Sequence, residues 1–176
     1  MTPGLIRNIF LTLFVIIAVS LVITPFLEPC GSLRALDGTP GVMDHWNIWT
    51  SMNGFGGSVY ALGDLLCHQM ESRSFMLNGS QMAFCVRDVS VIAGMTAGLA
   101  LTFIIDSKYV KDKRAWYATA VLMIPTVIDW AVQYATGFES LLTTSVTGIM
   151  LGLAVALVFW KLVLRMFDEV FGEMTS

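Results

Sequence analysis

The chain has 176 residues, of which 56% are hydrophobic and 13% are charged, and its formal net charge is −3. Soluble domains carry about 25% charged residues, so this composition excludes an ordinary water-soluble domain and indicates a surface covered by the lipid bilayer. The length suits one domain. No basic block, zinc-finger spacing or RNP-like aromatic pattern indicates nucleic-acid binding.

Four apolar stretches of the sequence are long enough to cross a bilayer, which takes about 20 residues. They cover residues 6–27, 84–105, 116–136 and 142–167. Unpaired backbone groups are too costly in lipid, so each stretch is predicted to be a helix. The sequence therefore predicts an all-α, multi-pass integral membrane protein, with residues 1–176 forming a single domain of four transmembrane helices.

Basic residues are distributed unevenly between the two sides of this predicted bundle. Seven of the ten lie at the N-terminus, between the second and third spans, or at the end of the fourth span: Arg7, Lys108, Lys111, Lys113, Arg114, Lys161 and Arg165. Cytoplasmic segments are enriched in lysine and arginine. We therefore expect a protein of the cell (plasma) membrane with both termini in the cytoplasm.

The first loop, residues 28–83, is then extracytoplasmic. It is longer than an ordinary connection in a compact bundle, and such loops usually carry function or are disordered. Within residues 42–66 many side chains are apolar, and Trp46 and Trp49 are typical of anchors at a membrane interface. We interpret this segment as interfacial or re-entrant, ending in a short helix, because a fifth span would break the charge symmetry.

Two pairs of glycines lie in the predicted spans at a spacing of four residues. Gly94 and Gly98 belong to the second span, and Gly148 and Gly152 belong to the fourth. Glycines at this spacing let two helix backbones approach closely. Contact within the bundle is the favoured interpretation, and an interface of a homo-oligomer or of a larger membrane complex is the alternative.

Polar residues at membrane depth are costly and often mark functional sites. Two groups of them are expected near the outer end of the bundle, where they can face one cavity. The first comprises Cys67, His68, Gln69, Arg73, Cys85, Arg87 and Asp88, and the second comprises Asp129 and Gln133. Asp129 is expected about 12 Å below the outer end of the third span.

These residue types predict a metal site, because thiolate and imidazole groups together bind zinc or copper. The predicted ligands are Cys67, His68 and Cys85, with Asp129, Asp88 or water in the fourth position. The remaining polar residues, namely Gln69, Arg73, Arg87 and Gln133, would support them. These residue types predict no particular reaction.

Three alternatives use the same features. Cys67 and Cys85 can form a disulfide at the oxidising outer face, which would either staple the loop or serve a membrane thiol–disulfide or quinone oxidoreductase. Arg87, Asp88 and Asp129 can form a purely structural ion-pair network. The chain can also be a non-catalytic subunit of a larger membrane complex.

The spacing of Cys67-His68-Gln69, Arg73-Ser74-Phe75 and Cys85-x-Arg87 resembles the CHQ…RSF…CxR signature of a prokaryotic, often archaeal, membrane protein family defined as a domain of unknown function. The family's later pattern is matched in part by Pro125, Asp129, Gln133 and Thr147-Gly148, and the resemblance extends over about residues 60–152. Ser90 and Trp130 depart from that pattern. The resemblance implies that these polar residues form a site, and it implies no particular reaction.

Overall fold

The structure is a computed structural model that describes residues 2–172. Seven α-helices occur among these residues: α1 (Pro3–Ile23), α2 (Trp46–Ser51), α3 (Gly54–Leu66), α4 (Val86–Leu101), α5 (Ser107–Lys111), α6 (Arg114–Thr136) and α7 (Leu141–Gly172). A short antiparallel hairpin is formed by β1 (Met76–Leu77) and β2 (Ser80–Gln81). Two 3-10 turns cover Thr24–Phe26 and Glu71–Arg73.

Three helical segments within the described part of the chain are long and apolar enough to cross a membrane. They are Pro3–Phe26, Arg114–Thr136 and Leu141–Val170, and they coincide with the first, third and fourth predicted spans. The prediction of a mainly helical membrane protein is therefore confirmed. The region predicted as the second span contains α4, a shorter helix of 16 residues.

The chain divides into two compact units. The helical unit comprises Met1–Val15 and Ser90–Ser176, and the loop unit comprises Ile16–Val89. Most of the predicted first loop therefore folds as a structured body of its own.

In the helical unit, glycines bring the backbones of α4 and α7 into contact. A Cβ atom built on Gly94 would lie 2.3 Å from the carbonyl oxygen of Ile149, and one built on Gly152 would lie 2.2 Å from that of Val91. Both distances are far below van der Waals contact, so any side chain at either position would force the helices apart. These two glycines thus serve packing within the chain.

Replacing Gly152 with alanine is expected to lower the free energy of unfolding by about 1–3 kcal/mol, because the added methyl group overpacks the α4–α7 contact. Unfolding of the detergent-solubilised protein, followed by circular dichroism, measures the effect. The control is Gly4→Ala in α1, where a Cβ would meet no atom within 4 Å. Equal stability of the two variants would contradict the close approach of these helices.

A buried lysine of α7 stabilises the turn between α5 and α6. Lys161 is only 2% exposed, and its Nζ donates a hydrogen bond to the backbone carbonyl of Asp112, directly after α5. The same ammonium group lies 5.1 Å from the ring centroid of Trp116 in α6. The position of this turn is therefore determined by a charged group of α7.

The loop unit contains α2, α3 and the hairpin. Asn78 and Gly79 form the tight turn of the hairpin with φ values of 51° and 68°, a left-handed geometry that asparagine and glycine adopt readily. The Asn78 side chain also donates to the carbonyl oxygen of Pro25 at 3.0 Å. Helix α3 has 13 residues, so its length of roughly 20 Å is too short to span a bilayer.

Candidate functional site

A buried carboxylate joins α2 to α3 in the loop unit. Asp64 is fully buried and accepts hydrogen bonds from the backbone N–H of His45 at 3.0 Å and from the indole Nε1 of Trp49 at 2.8 Å. The Trp49 ring stacks on Tyr60 with a centroid distance of 5.3 Å. Asp64 was not among the predicted site residues, although a single acidic residue within an apolar helical run is a signal for a partnered polar group.

Two buried glutamines hold the segment after α3 in place. The Gln69 amide donates to the carbonyl oxygens of Tyr60 at 3.2 Å and Ala83 at 2.9 Å. The Gln81 side chain donates to the carbonyl oxygen of Gln69 at 2.7 Å and accepts from the N–H of Leu36 at 2.8 Å. Because buried backbone groups need partners, these glutamines order the chain that leads to the cysteines.

Cys67 and Cys85 meet where α3 ends and α4 begins. The backbone N–H of Cys85 donates to the Cys67 sulfur at 3.3 Å, and the Cys85 thiol donates to Oδ2 of Asp88 at 3.1 Å. The two sulfurs and a carboxylate oxygen of Asp88 all lie within 4.8 Å of one another. Cys67 is buried, and Cys85 and Asp88 are half-buried.

The surroundings of Cys67 favour its thiolate. Hydrogen bonds from the Cys85 thiol and from the backbone N–H groups of Gln69 and Cys85 hold the pKa of Cys67 below its ordinary value, although burial and the Asp88 charge oppose this. The N-terminus of α4 adds a favourable field for an anion. The single proton on Cys85 is thus placed between two acceptors, the Cys67 sulfur and Asp88.

The histidine and the two arginines that were predicted near this group lie in three different segments of the chain. His68 is exposed, and its Nδ1 lies 3.3 Å from the carbonyl oxygen of Gly38. Arg73 ends a 3-10 turn, and Arg87 lies in the first turn of α4. All three cysteines are free thiols, with Cys30 exposed, and a Cys67–Cys85 disulfide stays a prediction.

Asp129 and Gln133 belong to a polar network of the helical unit. Oδ2 of Asp129 accepts from the Gln133 amide at 2.8 Å and from the Thr147 hydroxyl at 3.2 Å. The Gln133 amide also lies 3.0 Å from the hydroxyl of Thr144, and the Thr126 hydroxyl donates to the Thr147 carbonyl at 2.8 Å. The network joins α6 to α7, which is how membrane helices satisfy polar side chains.

The apolar helices and these internally paired polar groups define an integral membrane protein. A family described as "Predicted membrane protein (DUF2085)" matches residues 67–158, slightly more than half of the chain. The chain therefore belongs to this family, and the resemblance noted from the sequence is confirmed. The matched region begins at Cys67 and includes Cys85, Asp88 and Asp129.

A relative is the uncharacterised protein MJ1492 of Methanocaldococcus jannaschii, an archaeon. The two chains are 34% identical over 76 residues, which is 43% of this chain and 48% of the relative. The match thus spans about half the length of that relative. No solved structure matches the chain.

Proposed function

We propose that this protein is a four-span protein of the cell membrane that binds a thiophilic metal ion, zinc or copper, through Cys67, Cys85 and Asp88 at its extracytoplasmic face. The observation that carries the proposal is the convergence of two sulfurs and a carboxylate oxygen within 4.8 Å. Ligand atoms around one tetrahedral ion are separated by about 3.5–4 Å. Small side-chain adjustments would therefore bring these three atoms to the positions needed to bind one ion.

The four-span arrangement is supported by the backbone around α4. Its 16 helical residues extend roughly 24 Å. Turn hydrogen bonds continue past Leu101, with the N–H of Ile105 donating to the Leu101 carbonyl at 3.0 Å, so the region from Val86 to Ile105 approaches the thickness of the hydrocarbon core. With four spans, the lysine- and arginine-rich segments fall on the cytoplasmic side together with both termini.

The donor set favours zinc over copper. Two thiolates and one carboxylate would bring three negative charges to one point, and a dication offsets most of that charge. Zinc accepts mixed sulfur and oxygen ligands, whereas Cu(I) prefers sulfur alone. Three protein ligands leave the fourth position open for water or a substrate, as in catalytic zinc sites. His68 could take that position only if its ring left the Gly38 carbonyl.

Metal analysis of three purified proteins tests the proposal. Wild type and Cys30→Ser are expected to retain one zinc or copper ion per chain, and Cys67→Ser is expected to retain at least about tenfold less. Cys30 provides the matched control because it is an exposed cysteine outside the ligand group. Metal content that is equal in wild type and Cys67→Ser would overturn the assignment.

The thiolate character of Cys67 favours thiol–disulfide exchange as a second candidate function. The Cys67 thiolate would attack a substrate disulfide and release one thiolate. Cys85, after passing its proton to Asp88, would then attack the Cys67 sulfur and release the second, which leaves the substrate reduced and the pair oxidised. Rapid formation of a Cys67–Cys85 bond in protein without metal, detected by peptide mass, would favour this function over metal binding.

A further inference from the structure

An apolar cavity of about 340 Å³ lies in the helical unit, at the corner between α5 and α6. Its walls are mainly the side chains of Ile105, Tyr109, Ala115, Ala118 and Leu157, and Arg114 and Asp112 are the charged residues of its lining. The cavity is thus an apolar space with a permanent cation at its edge.

The basic residues near this cavity differ in whether they pair with a carboxylate. Lys108 pairs with Asp106 at 3.2 Å, and Lys111 pairs with Asp168 at 2.6 Å. Lys113 and Arg114 are exposed and have no carboxylate partner in the described part of the chain. Arg114 lines the cavity and Lys113 precedes it in the sequence, so two adjacent cations are available to a ligand there.

The one acidic residue of the cavity lining is already engaged. The Asp112 carboxylate accepts a hydrogen bond from the backbone N–H of Arg114 at 2.9 Å, and its backbone carbonyl accepts from the buried Lys161. The nearby ammonium group of Lys161 offsets the Asp112 charge. An anion at Arg114 would thus meet a net positive environment.

The position of the cavity along the helices matches a membrane surface. Tyr109 and Tyr117 are 64% and 74% exposed, and Trp116 is 40% exposed. Tyrosine and tryptophan side chains collect at the level of the lipid headgroups. Further along α6, large apolar side chains such as Val121, Ile124 and Val127 are exposed, as expected for a surface that contacts acyl chains.

We propose that this corner binds an anionic phospholipid, with the headgroup phosphate held by Lys113 and Arg114 and part of one acyl chain in the cavity between α5 and α6. Arginine suits phosphate because its planar guanidinium can donate two parallel hydrogen bonds. Basic pockets between membrane helices are recognised sites for anionic headgroups. The apolar walls explain why a lipid fits this place better than a free phosphate ion.

Two double variants of equal charge test the headgroup contact. Lys113→Gln/Arg114→Gln removes the two unpaired cations, and Lys108→Gln/Lys111→Gln removes the two paired ones. Binding of phosphatidylglycerol or phosphatidylcholine to the detergent-solubilised full chain is measured by native mass spectrometry. We expect wild type and the second variant to retain phosphatidylglycerol, and the first variant to bind it roughly tenfold or more weakly.

Two results of this experiment would overturn the proposal. An equal loss of phosphatidylglycerol binding in both double variants would mean that only the overall positive field attracts the lipid. Equal binding of phosphatidylcholine and phosphatidylglycerol to wild type would mean that no anionic headgroup is recognised.

The acyl contact is tested by Ala118→Phe, which narrows the cavity without changing charge. This variant is expected to weaken phosphatidylglycerol binding, and unchanged binding would show that the cavity holds no acyl chain.

Discussion

Replacing Asp64 with alanine is expected to lower the free energy of unfolding by about 3–5 kcal/mol. The variant would leave the indole N–H of Trp49 and the backbone N–H of His45 without their acceptor in a buried place. It would also leave a cavity beneath α2. Thermal unfolding of the detergent-solubilised protein, followed by tryptophan fluorescence and by circular dichroism, measures the loss.

The matched control for Asp64 is a second aspartate near the same histidine. The Asp37 carboxylate lies 3.7 Å from Nε2 of His45, but its side chain is 87% exposed, so Asp37→Ala is expected to change stability by less than about 0.5 kcal/mol. Combining Asp64→Ala with Trp49→Phe should give a loss smaller than the sum of the single losses, because the two groups share a hydrogen bond. If the Asp64 and Asp37 variants lower the free energy of unfolding by similar amounts, the buried hydrogen bonds of the Asp64 carboxylate contribute little to stability.

The long helices were predictable because a bilayer imposes one simple requirement on the sequence. The stretch predicted at 116–136 forms Arg114–Thr136, and the one predicted at 142–167 lies within Leu141–Gly172. Each of the two segments is a run of about 20 or more mainly apolar residues with few charges, which the sequence alone reveals. Their ends differ by a few residues because flanking polar residues continue a helix outside the apolar region.

The fold of the loop unit was not predictable in the same way. Its only strong local signal is Asn78-Gly79, a dipeptide typical of two-residue hairpin turns, and the structure places a hairpin there. The other contacts join residues far apart in sequence, such as the Gln81 side chain and the N–H of Leu36. No sequence period predicts such pairs, because each depends on the complete fold.

The sequence pointed to the two cysteines of the cluster, but it did not predict their full set of neighbours. Cys67 and Cys85 stood out by residue type, and Asp88 was one of the two carboxylates predicted for the fourth position. His68 was predicted to be a ligand together with Cys67 because imidazole and thiolate groups bind zinc or copper. The backbone at Cys67 is extended, with φ −137° and ψ 154°, and adjacent side chains of an extended segment point in opposite directions. That geometry accounts for the contact of His68 with Gly38.

Gln69 connects this scaffold to the proposed metal site, and its replacement by leucine should affect both. Its buried amide donates to the carbonyl oxygens of Tyr60 and Ala83, and Ala83 lies two residues before Cys85. Without these bonds, two buried carbonyl groups lose a partner, at a cost of about 2–4 kcal/mol in the free energy of unfolding. The backbone that positions both sulfurs would also become less ordered.

We therefore expect Gln69→Leu to weaken zinc binding by about 10–100-fold, as is usual when a group that orients a metal ligand is removed. Zinc affinity is measured by competition with a chelator at a temperature where the variant is folded, so that lost stability does not contribute. The control is Gln133→Leu, which makes the same chemical change in α6 of the helical unit. That variant should lower stability through the Asp129 network and leave zinc affinity unchanged. If the Gln69→Leu protein unfolds more easily but binds zinc as tightly as wild type does, Gln69 has only a structural role. If both variants weaken zinc binding equally, Gln69 has no specific effect on the sulfurs.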